Sequence, residues 1–199
     1  LVAVTSRPAA QEHLGWPDAS FSWAAVLEGG AAARIADPMT TAEGLGTLLA
    51  VRAAVGDSEE AQTQLVQVMT EVARQTVDDV SVAYEEVSPD AEAAVVFTAT
   101  EQSVVAHNRQ QPGNPVVALY PADGTLMFDY PAIPVSTDDT PAATRDAAAR
   151  IIAVLGSEQA VSALYEAGFR APDATAGTDG GVLGVDPTVP TVLPTPSAD

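Results

Sequence analysis

The chain has 199 residues and a net charge of −19; its eight basic residues are all Arg, set against 27 acidic ones. That balance excludes a basic face for nucleic acid and docking on anionic lipid. The absence of cysteine excludes a disulfide framework and any thiolate metal site.

A hydrophobic content of 47% with only 5% aromatics predicts a core built mainly of Ala, Val and Leu. No run of about 20 apolar residues offers a membrane-spanning helix. The chain opens with "LVAVTS", lacks an initiator Met, and starts as though inside a buried strand over 1–5. This suggests a processed chain or a piece of a longer one, so a missing leader carries no weight.

Ser6 then caps a short helix, with Pro8 in its first turn and Gly15 as its stop. "FSWAAVLEGG" reads as a second short helix, and "ARIADP" (33–38) as a strand closed by Asp37-Pro38. Thr40 with Glu43 forms a capping box for the next helix, whose apolar face is Leu45, Leu48 and Leu49. Ser58 opens another, with Ala61, Leu65, Val68, Met69 and Val72 at helical spacing. "DDVSVAYEEVSPDAE" reads as polar and irregular.

A strand over 93–98 runs into a helix capped by Thr98 or Thr100, and a strand over 114–121 follows. Residues 125–135 read as extended, with Pro131 and Pro134 placing them at an edge or in a crossing segment. Pro141 starts a helix with the stripe Ala147, Ala148, Ile151, Ile152 and Leu155. In "GSEQAVSALYEAGFRAP", Ser157 is the cap and Ala160, Val161, Leu164 and Tyr165 form one face. Gly168 supplies the left-handed exit, and Phe169 folds back on the last turn. Beyond Pro172 the composition turns to Pro, Gly, Thr, Asp and Ser, so 173–199 reads as a linker or tail. Strands alternating with helices predict an α/β sheet with helices on both faces.

The candidate site residues are helix starts that follow strands: Ser6; Thr40 and Thr41; and Thr98, Thr100, Glu101 and Gln102. A helix start offers unpaired N–H groups and partial positive charge, and ligands in open α/β sheets bind beyond the carboxyl ends of strands. Ser and Thr are also the preferred caps, so each residue has a purely structural explanation as well. Glu101 and the overall charge weigh against a tightly bound oxyanion and toward a neutral or cationic ligand, or none.

Other motifs dissolve on inspection. "DASFS" (18–22) matches the Asp-x-Ser-x-Ser metal motif of von Willebrand factor A domains, but Pro17 precludes the strand that motif must end. His13 and His107 have no partner at ligand spacing, so no zinc site is predicted. The pairs Glu59-Glu60, Asp78-Asp79, Glu85-Glu86 and Asp138-Asp139 lack the alternating ligands of a calcium loop. No nucleophile elbow, phosphate loop or dinucleotide fingerprint appears, "GLGTLLA" being Gly-x-Gly inside a helix. The expectation is a protein that is not an enzyme and needs no cofactor or metal.

The helix 157–168 with Gly168-Phe169, the strand–Asp-Pro–helix "ARIADPMTTAEGLGTLLA" and the Trp-containing "FSWAAVL" resemble, in order, segments of type 2 extracellular solute-binding proteins of the molybdate-like branch. "VVFTATEQSVVAHN" and "VVALYPADGTLMFDYPAIPV" are similar to an actinobacterial group in which such a region precedes a von Willebrand factor A domain. The Ala-rich, Lys-free composition resembles that of proteins from high-GC bacteria. The resemblance covers about residues 1–172. It implies a periplasmic-binding-protein-like II lobe with a mixed, mostly parallel sheet: lobe two of a two-lobed clamp, with helices 141–169 returning toward lobe one. It implies non-catalytic ligand binding in the interlobe cleft, lined by Ser6, Thr40, Thr41, Thr98, Thr100, Glu101 and Gln102. It also implies an extracellular or cell-surface location, with any membrane link through an upstream segment. Partners would be a small molecule or, alternatively, a protein recognised by a ligand-free module that presents the A domain.

Overall fold

The computed structural model describes residues 1–23, 32–55, 58–88, 94–177, 183–188 and 191–194. The helix expected at 21–30 falls largely outside them.

Five strands, β1 (Val2–Ser6), β2 (Ala32–Ala36), β3 (Thr76–Val77), β4 (Val95–Ala99) and β5 (Val116–Leu119), form one sheet in the order β3-β2-β4-β1-β5. β2 pairs parallel with β3 and β4, whereas β1 pairs antiparallel with both β4 and β5. Four strands therefore share one direction and β1 alone opposes them. β1 and β5 are buried along their whole length, β5 as an unbroken apolar run and β1 with Thr5 and Ser6 buried at its end, as expected when both faces of a sheet are covered.

The helices are α1 (Arg7–His13), α2 (Ala42–Val55), α3 (Glu59–Arg74), α4 (Val80–Glu86), α5 (Glu101–Gln110), α6 (Ala142–Leu155) and α7 (Glu158–Glu166). On one face, Val2, Val4, Phe97, Ala99, Val116 and Ala118 pack against Ala83 of α4 and Val104 and Val105 of α5. On the other, Ala3, Val96, Val117 and Leu119 meet Ala10 of α1 and Phe21. Trp23, fully buried, joins Leu1, Ala50, Val51 and Leu126 beyond the strand ends. This is the expected α/β class with helices on both faces.

Several local expectations shift. α4 occupies a stretch read as irregular: Asp79 caps it by accepting from Ser81 N at 2.8 Å, and Ala83 and Tyr84 join the core. Its dense acidic residues hid an apolar spacing of Val80, Ala83, Tyr84 and Val87. On α2 the buried face is Gly44, Gly46, Thr47, Ala50 and Val51, while Leu45 is exposed. The helix lies too close to the β2 turn for large side chains: a Cβ on Gly44 would sit 2.1 Å from the Ala36 oxygen. The other glycine of the Gly-x-Gly pair faces a different neighbour: a Cβ on Gly46 would meet the Phe128 ring at 2.7 Å.

The exit from α7 is as expected. Gly168 has φ +91°, its N–H donates to Tyr165 O, and Phe169 N donates to Leu164 O, both at 3.0 Å. α6 and α7 nevertheless leave Ile151, Val154, Leu155 and Leu164 exposed, so only part of the stripe read from sequence is covered. The tail read as a linker is partly docked: Val185 enters the core, and Thr125 exchanges backbone bonds with Thr191 and Leu193.

Candidate functional site

Strand direction decides which candidate residues can meet. In the β2–β4 register Arg34 pairs with Phe97, and Asp37 and Thr100 lie three residues further along each strand. Adjacent strands run about 4.8 Å apart, so the starts of α2 and α5 stand side by side. Because β1 is antiparallel, its first residues lie at this same end: Val2 pairs with Ala99. Ser6 pairs with Val116, where β5 begins. It is thus four residues, or about 13 Å, away at the opposite rim of the sheet. Ser6 caps α1 by accepting from Ala9 N at 3.3 Å and does not share a surface with the others.

The remaining candidates do gather at one rim. Thr41, rather than Thr40, caps α2: its Oγ1 accepts from Gly44 N at 3.1 Å and donates to Asp37 O at 2.7 Å. Thr40 is exposed. Thr100 caps α5 by accepting from Ser103 N at 3.2 Å. Thr98 is buried within β4, and its hydroxyl is hydrogen-bonded at 2.7 Å to that of Thr47 on α2. It therefore pins helix to sheet, with its hydroxyl engaged inside the fold. Gln102 is half-buried, with its Cα close to Gly168.

Glu101 is fully engaged. Arg170 Nε lies 2.9 and 2.7 Å from its two oxygens, Nη2 lies 2.6 Å from Oε1, and the Tyr120 hydroxyl also donates to it. Both side chains are mostly shielded, at 6% exposed for Arg170 and 14% for Glu101. Burial, then the neighbouring carboxylate, pushes the Tyr120 phenol far above its ordinary range. The Arg170 guanidinium also reaches the carbonyls of Ala174, Thr188 and Asp186, at 2.9, 3.1 and 2.5 Å. Glu101 is thus neutralised at short range, and its charge no longer argues against an anion at the α5 start. The sequence reading missed Arg170, and the one local signal was a basic residue directly after Gly168-Phe169.

Two other segments reach this rim. Leu1 N donates to Leu126 O at 2.7 Å, and the Thr125 hydroxyl donates to Leu1 O. Where Leu1 is a free N-terminus, burial depresses its amine to about 6. Trp23 closes the corner, its indole N–H donating to Gly124 O at 2.6 Å and its backbone N–H to the Asp123 carboxylate.

A hollow of about 520 Å³ lies elsewhere, along β5 between Trp16, Phe21 and the 184–187 segment, and takes in none of the candidate residues. No group of three or more His, Asp or Glu residues placed to hold a metal occurs among the described residues. Nor is any single helix there long and apolar enough to cross a membrane.

The mixed, mostly parallel sheet with helices on both faces defines an α/β domain. The chain belongs to the bacterial extracellular solute-binding protein family, whose model matches residues 1–170. Members are binding proteins and not enzymes. A solved structure described as "Two-component system protein mediate signal transduction" is similar in fold, with a TM-score of 0.54 at 16% identity. The alignment covers 95% of this chain but 60% of that one, so the chain spans less than two thirds of that structure. No curated protein matches the sequence.

Proposed function

We propose that the chain is the second lobe of a two-lobed extracellular clamp that binds a small solute without chemistry, at the rim formed by Thr40, Thr41, Thr100 and Gln102. One observation carries this reading: the starts of α2 and α5 share an end of the sheet with the two segments, Leu1 and Thr125–Leu126, suited to cross between lobes. Exposed apolar residues on α6 and α7, with Tyr130, Ile133 and Val135 on the extended segment, supply a surface for the other lobe. The resemblance to the molybdate-like branch and to actinobacterial chains with a downstream von Willebrand factor A domain belongs to this proposal. With Glu101 held by Arg170, the rim admits oxyanions as well as neutral solutes.

The test is calorimetry of the two-lobed protein against sugars, amino acids and oxyanions, molybdate included. A Thr40→Ala/Gln102→Ala variant should lose at least tenfold in affinity for whichever compound binds, with thermal stability unchanged. Undiminished affinity would reject this wall.

A protein-binding role is the second reading, favoured by how many rim hydroxyls are already used in capping. Retained partner capture by the A domain after deletion of residues 1–172 would reject it.

A further inference from the structure

The tail past Pro172, compositionally a linker, is attached to the lobe at three places. Leu183 O accepts from Asn108 Nδ2 at 2.6 Å, and Gly184 O accepts from Ala118 N at 2.8 Å, so the segment lies along the free edge of β5. Val185 is buried among Val116, Ala118 and the α5 valines. Next, Asp186 O and Thr188 O accept from Arg170, and Asp186 N donates to the Tyr120 hydroxyl at 3.2 Å. Finally, Thr125 N donates to Thr191 O and Leu193 N donates to Thr125 O, both at 2.8 Å, while Leu193 packs beside Trp23 and Leu126.

The third attachment falls on the backbone that also holds Leu1. Thr125 therefore sits between two segments, bonded on one side to Leu1 O and on the other to Thr191 and Leu193. The fit is specific at both ends. A Cβ on Gly184 would lie 2.4 Å from Val116 O, and one on Gly124 would lie 2.9 Å from Leu193. Ala174 holds a left-handed φ of +66°, and its carbonyl is the one Arg170 takes at 2.9 Å. Such a conformation persists in a non-glycine residue only where surrounding contacts impose it.

We propose that residues 183–188 and 191–193 act together as a strap that links the β5 edge to the crossing segment and sets how freely that segment bends. The strap is the means by which events at the C-terminal end of the chain change the opening of the clamp. A docked strap holds Thr125–Leu126 against Leu1 and resists rotation between lobes. A strap drawn off β5 gives up Arg170, then Thr125, and frees the crossing segment. This rests on the two-lobe reading proposed above.

The test uses Gly184→Val, which clashes with Val116 O far from Thr125. Amide hydrogen exchange of this chain should show at least tenfold faster exchange at Thr125 as well as at Ala118, with the β1–β4 amides unchanged. Acceleration confined to Ala118 overturns the strap and leaves the two-lobe reading standing. Should Gly184→Val fail to fold, Leu193→Asp probes the coupling in reverse, with Ala118 as the readout and the same criterion. In the protein carrying both lobes, the same variant should enlarge the radius of gyration measured by small-angle scattering. Accelerated Thr125 exchange with unchanged scattering overturns the strap's control of opening and leaves the two-lobe reading standing.

Discussion

Replacing Arg170 with Met keeps the length of the side chain and removes its charge. The Glu101 carboxylate, 14% exposed, would lose its bidentate partner and keep only the Tyr120 hydroxyl. Three tail carbonyls would lose a donor at the same time. Removing one member of a shielded ion pair costs about 3–5 kcal/mol, because the stranded charge keeps its desolvation penalty. In a lobe of this size each kcal/mol moves Tm by about 2–4 °C, which puts the drop at roughly 6–20 °C. Glu101→Gln on the Arg170→Met background should recover about 1–3 kcal/mol, since a neutral amide in that place strands no charge. Urea unfolding followed by far-ultraviolet circular dichroism gives all four corners of the cycle. A loss below about 1 kcal/mol for Arg170→Met, or a double variant no more stable than the sum of the singles, would show that the pair is a solvated surface contact and refute the reasoning.

Gly44→Ala should be strongly destabilising, by roughly 3 kcal/mol or more, because its Cβ would overlap Ala36 O at 2.1 Å and the Asp37-Pro38 turn; equilibrium unfolding checks it. Ile151→Ser with Val154→Ser, at residues 62% and 63% exposed, should change the stability of this chain by less than about 0.5 kcal/mol per site while reducing its self-association in sedimentation. Prepared with Leu1 as its free N-terminus, the chain should gain stability as pH rises from 6 to 8. The buried amine has a pKa of about 6 against an ordinary 8.0, so it opposes folding in full below pH 6 and ceases to do so above 8. The span is about 2–3 kcal/mol, and acetylation of Leu1 should abolish it in unfolding curves taken across that range.

What the amino-acid order determined by itself was local. The buried strands read correctly because sheet residues covered on both faces are mostly apolar, with only Thr5, Ser6 and Thr98 as buried polar residues in β1 and β4. The caps at Ser6 and Ser157 and the exit at Gly168-Phe169 read correctly because they are hydrogen bonds closed within three to five residues; the α5 cap, left open between Thr98 and Thr100, is Thr100. Small residues buried on α2 were misjudged for a related reason: periodicity favours large side chains, whereas close helix–sheet contact needs glycine and alanine.

Only the tertiary structure decided which helix starts share a surface. That depends on β1 running against its neighbours, a long-range choice that carried Ser6 to the far rim and left Thr40, Thr41, Thr100 and Gln102 together. It also joined Arg170 to Glu101 across 69 positions and laid Leu183–Val185 of the proline-rich tail along β5. Composition marks such a tail as unable to fold alone, but a few apolar residues at the right spacing suffice once a sheet edge and a crossing segment are already there to receive them.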